Sequence, residues 1–102
     1  MDNKNTQQIV TPPVDEIRTL LQSNKSGLQA NAIALLIENR IYNHEFLQAV
    51  GMLIDSPEKI GFGLPLSDLA SIYVALATDQ PYKSEYKCFE QLYEDYKSRF
   101  SI

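Results

Sequence analysis

Six aromatic residues near the C-terminus, Tyr82, Tyr86, Phe89, Tyr93, Tyr96 and Phe100, recur at spacings of four, three, four, three and four. At 100° per residue they fall within roughly 80° of one another on a helix. No strand arranges residues this way, because side chains alternate across a strand with period two. The stripe therefore predicts one long amphipathic helix from Tyr82 to Phe100, which joins the bundle core through the stripe; the competing reading makes part of it a dimer or partner interface. Lys83, Lys87, Glu90, Glu94 and Lys97 form its polar neighbour stripe.

The rest of the chain obeys the same period. Thr11-Pro12-Pro13 reads as a helix start: a capping hydroxyl is followed by proline in the first turn. Val14, Ile17, Leu20 and Leu21 then share one face. Ser26 is the expected cap of a second helix reaching Ile41. That helix is apolar almost all round, with Leu28, Ala32, Leu35 and Leu36 on one side and Ile33, Ile37 and Ile41 on the other. Such a helix must be covered almost all round. It is either the centre of the bundle or half-covered by a second copy of the chain. Asn43 is the expected cap of a third helix, whose inner face is Phe46, Val50, Leu53 and Ile54. Gly51 inside it suggests a close helix approach. Ser56 before Pro57 reads as a cap with a first-turn proline. Ser67 and Asp68 open a fourth helix carrying Leu69, Ile72, Tyr73 and Leu76, and Pro81 ends it.

Nothing alternates with period two for long enough to make a strand, and no repeat is present. The expected fold is all-α, a compact antiparallel bundle of four to five helices. Residues 1–11 are expected to be a disordered polar tail, and residues 12–102 a single helical domain. At 102 residues and 44% hydrophobic content, such a domain can bury a core without disulfides or metals.

Charge narrows the partners. The formal net charge is −4, and Lys25, Arg40 and Lys59 are scattered along the chain. Phosphate backbones and anionic membrane surfaces are bound through clustered Lys and Arg, so neither nucleic acid nor membrane is an expected partner. Cys88 is the one cysteine and has no internal disulfide partner. With no apolar leader segment at the N-terminus, that points to the cytoplasm.

Catalytic patterns dissolve on inspection. His44-Glu45 opens like a zinc-protease motif, but its fifth position is Gln48. Ser56 to Lys59 and Ser84 to Lys87 both fit the spacing of a serine activated by lysine, without the companion motifs. Cys88 is expected to lie inside the last helix at the edge of its apolar face, partly buried. Gly61-Phe62-Gly63 lacks the lysine and hydroxyl of a phosphate loop. Its preferred reading is a tight turn in which Phe62 and Leu64 plug the bundle end. The competing one is an exposed anchor at Phe62. No catalytic, cofactor-binding or metal-binding residue is assigned.

The expected function is a small non-enzymatic cytoplasmic protein that acts through protein–protein contact, as adaptor, regulator or inhibitor, with a homodimer as one outcome. Its candidate contact residues are Phe62, Tyr86, Tyr93, Tyr96, Ile33 and Ile37. Tyrosine suits half-wet interfaces, and the surplus apolar face around Ile33 needs a cover. The alternatives are a toxin- or bacteriocin-immunity protein, by analogy of size and class alone, and a small-ligand binder or enzyme built on His44, Cys88 or a tyrosine hydroxyl.

Overall fold

The computed structural model describes residues 13–100. The expected tail and the cap at Thr11 lie outside them. Helices α1 (Val14–Leu21), α2 (Ser26–Glu38), α3 (His44–Gly51), α4 (Leu66–Thr78) and α5 (Lys87–Phe100) follow in order. A single 3-10 turn, Gly61–Gly63, lies between α3 and α4. The described residues contain no strand, only an isolated antiparallel bridge between Lys59 and Pro65. The fold is the all-α bundle that the periodicity predicts.

Helices α2 and α4 form the spine. They pack on each other, α1 covers α2, α3 covers α4, and α5 lies against both. Leu66, Leu69, Ala70, Ile72, Tyr73, Ala75 and Leu76 bury one broad side of α4. Ala32, Ile33, Leu36 and Ile37 of α2 have no exposed surface. Each of the leucine and isoleucine side chains among them contributes about 1.5–3 kcal/mol by leaving water. The apolar surplus of α2 is thus covered within the chain. Ile33 and Ile37 retain no surface with which to meet a second copy.

Helix ends follow local chemistry. The Asn43 Oδ1 accepts the Phe46 N–H at 3.1 Å, capping α3 as expected. Ser26, by contrast, is the first residue of α2 and no cap; its hydroxyl donates to the Lys59 carbonyl at 2.5 Å. No helix follows Ser56, whose hydroxyl accepts the Glu58 N–H in a local turn. Gly51 closes α3 in open space: a Cβ there would meet nothing within 4 Å, so no close approach requires it.

Helix α2 stops at Glu38, short of Ile41, because Arg40 turns left-handed at φ 54°. The Arg40 N–H then donates to Ile37 and the Ile41 N–H to Leu36, which satisfies two terminal carbonyls. Asp79 ends α4 likewise at φ 57°, with the Gln80 N–H on the Ala75 carbonyl. Glycine adopts this conformation without a Cβ clash, and an acid opposes the negative helix end. Asp79→Gly is therefore expected to stabilise the chain by about 0.5–1 kcal/mol, after allowing for glycine's freer unfolded state. Urea unfolding checks it through an upward shift of the midpoint.

The last helix begins at Lys87, not at Tyr82. Ser84 explains the delay. Its hydroxyl donates to Asp68 Oδ2 at 2.5 Å and accepts the Tyr86 N–H at 3.0 Å, while its own N–H donates to Glu90 Oε2 at 3.0 Å. A serine that bonds local backbone in this way competes with helix formation. Glu90 reaching back resembles the acidic half of a capping box. The helical stripe shrinks to Phe89, Tyr93, Tyr96 and Phe100, and residues 79–86 become a strap between α4 and α5.

Candidate functional site

The segment between α3 and α4 closes on itself. The Leu66 N–H donates to the Glu58 carbonyl at 3.1 Å and the Ile60 N–H to the Leu64 carbonyl at 2.7 Å. The Ser26 hydroxyl ties the same loop to α2 through Lys59. Leu66 anchors one end in the core, and Ile60 and Leu64 pack partly against it. Two glycines then turn the tip, Gly63 at φ 72°. Between them Phe62 sits at φ 65°, ψ 20° with its side chain fully in solvent, at 103% exposure. The left-handed region costs a residue with a Cβ about 1–2 kcal/mol. The preferred expectation, a buried plug, fails for Phe62 and holds in part for Leu64. Glycine on both sides frees the tip from the surrounding packing, and the ring at the apex faces away from the core.

The other expected contact residues lie mostly inside. Tyr93 and Tyr96 are 5% and 8% exposed, and Ile33 and Ile37 belong to the spine. The Tyr93 hydroxyl donates to the Gln80 carbonyl at 3.1 Å, which fastens the strap to α5. Tyr86 is half-buried, edge-on to Phe89 at 6.1 Å. Among the expected contact residues only Phe62 is open, with Tyr86 open in part. Met52, at 81%, is the next most exposed large apolar side chain of the described residues.

The reactive groups do not gather into one constellation. His44 is exposed at the first residue of α3. Cys88 is exposed too, at the second residue of α5, not half-buried within a longer helix as expected. Ser84 is bonded to Asp68, and Lys87 of the same S-x-x-K pattern is exposed. Among the described residues no group of three or more His, Cys, Asp or Glu is placed to hold a metal ion. No described helix is long and apolar enough to cross a membrane. Arg18 links α1 to α3 through Glu45 and lies 5.7 Å from the Phe46 ring. Hydrogen bonding to Arg18 holds the Glu45 carboxyl below its usual range.

Sequence reasoning missed how the tyrosines are wired. Tyr73 donates to the Ile41 carbonyl at 2.7 Å, and its ring lies 5.3 Å from that of Tyr42. Among the described residues the buried Tyr82 hydroxyl has no hydrogen-bond partner. Burial pushes its pKa up to about 12, and burial raises Tyr42, Tyr73 and Tyr96 as well. Each raised pKa favours the neutral phenol in the folded chain. Their stabilising contribution is complete below the ordinary pKa of about 10 and disappears as pH rises through the folded values. Tyrosinate absorbance and circular dichroism, followed together in an alkaline titration, should show stability falling across pH 10 to about 12.

No protein-family model matches the chain, and neither a curated protein nor a solved structure resembles it significantly.

Proposed function

We propose that this chain is a non-enzymatic protein-binding module of the cytoplasm, with Phe62 as its anchor. The Phe62 loop is the observation that carries the reading. A phenyl ring with 103% exposure contributes nothing to the chain's own core. Its backbone is strained, and backbone strain gathers at binding and switch regions. The loop beneath it is tied at Glu58, Lys59, Ile60 and Leu64, so the ring is offered from a fixed base. A preorganised aromatic projection loses little freedom on docking and fits the central apolar pocket of a partner protein. The free thiol of Cys88 is consistent with a reducing compartment.

The test is affinity capture from native lysate with the tagged chain and with Phe62→Ser. A stoichiometric protein retained by the first and missing from the second supports the reading. Recovery of untagged copies alone, again dependent on Phe62, makes the partner a second copy. The same proteins retained by both baits removes Phe62 from the interaction and sinks the proposal.

A further inference from the structure

A second surface, which shares no lining residue with the Phe62 loop, lies where the strap meets α5. A shallow groove of about 500 Å³ runs over Tyr82 and Tyr93 and is edged by Lys83, Lys87 and Lys97. The chain as a whole is acidic, at net charge −4, yet three lysines meet here. None is ion-paired with another described residue within 4.0 Å. Two carboxylates share the groove: Glu90, which turns back to accept the Ser84 N–H, and Glu94, exposed between Lys87 and Lys97, so the lining carries three positive and two negative charges. The Lys97 ammonium lies 5.7 Å from the Tyr93 ring centre, which holds it over the groove floor.

We infer that this groove binds an extended acidic segment of a partner protein. Lys87 and Lys97 are ten residues apart on one helix, about 15 Å along its axis. An extended peptide covers that distance in about four to five residues. Carboxylates at the two ends of such a segment meet the lysines, and a backbone N–H between them faces Glu94. The occupant is a peptide and not a single-stranded nucleic acid, because single strands stack their bases on exposed rings. Tyr93 is 5% exposed and Tyr82 only partly so, and Glu94 would face the phosphates. This inference takes from the proposed function only that the occupant is a protein. Phe62 plays no part in it, so either can fail alone.

Backbone amide chemical shifts of the full chain, titrated with hexaglutamate, test it. Saturable shifts across residues 81–97 are expected, absent with hexaserine and unchanged by Phe62→Ser. Lys87→Glu combined with Lys97→Glu should weaken binding about tenfold, whereas Lys25→Glu combined with Lys59→Glu should leave it within about twofold. Equal weakening by both pairs would mean a response to net charge and overturn the site. Inorganic phosphate giving the same saturable shifts, or hexauridylate binding more tightly, would overturn the peptide as occupant. Absence of shifts with hexaglutamate would overturn the whole inference.

Discussion

Tyr73→Ala is expected to cost about 3–5 kcal/mol, the range for removing a buried aromatic side chain. Tyr73 is fully buried on α4, at the centre of the spine. Its loss leaves a cavity in the buried cluster that the surrounding side chains only partly refill. The damage has a second source. The Tyr73 hydroxyl is a donor to the Ile41 carbonyl, just beyond the left-handed Arg40 that ends α2. Without it that carbonyl loses this partner, and the segment from Ile41 to the α3 cap loses its tether to α4. A domain of this size is stable by about 5–15 kcal/mol in total, so much of the margin goes with one side chain. Tyr73→Phe separates the two sources. It keeps the ring and removes the donor, with an expected cost of about 1–3 kcal/mol. Urea unfolding followed by circular dichroism measures both. Equal costs for the two variants would show that packing of the ring contributes little.

The sequence carried the fold further than it carried the site, for reasons visible in single residues. Asn43 states its role outright: an amide before an acidic, apolar-periodic run caps a helix, and it does. The long apolar face of α2 left two readings open, because periodicity says that a face is buried and not what buries it. The fold supplies α1, α4 and α5 as the cover. The aromatic stripe was right in direction and wrong in extent. Ser84 and Glu90 form hydrogen bonds that interrupt the four-three rhythm, and Asp68, the third member, comes from sixteen residues upstream. A pattern within one segment cannot reveal a bond to another helix. Arg40 and Asp79 hide for a different reason. Helix ends of this type favour glycine, and neither position carries one.

The sequence favours an inward Phe62, because a large exposed apolar patch carries a solubility cost. Its glycine neighbours were the contrary signal: glycine supplies tight turns, and a tight turn lifts its apex off the surface. The same two glycines give the loop its backbone geometry, so what makes the tip possible also makes it visible in the sequence, once exposure is weighed against burial.

Phe62→Gly should therefore move stability and binding in opposite directions. The ring makes no contribution to the core at 103% exposure, and glycine takes φ 65°, ψ 20° without the Cβ clash. After allowing for glycine's unfolded-state entropy, the variant should gain about 0.5–1 kcal/mol. For a domain of this size that raises the melting temperature by several degrees, about 4–8 °C per kcal/mol. Against the partner recovered by capture, loss of a central aromatic anchor should cost about 2 kcal/mol or more, a weakening of roughly 30-fold. Phe62→Leu is the control: it keeps the backbone strain and some apolar surface, so its stability should stay near the parent and its affinity should fall between the two. Calorimetry of folding needs no partner and can be done first. If Phe62→Gly melts lower than the parent, the ring is supporting the fold, and its place as a displayed anchor falls with that result. If it melts higher and binds as before, the strain is real but the contact is made elsewhere.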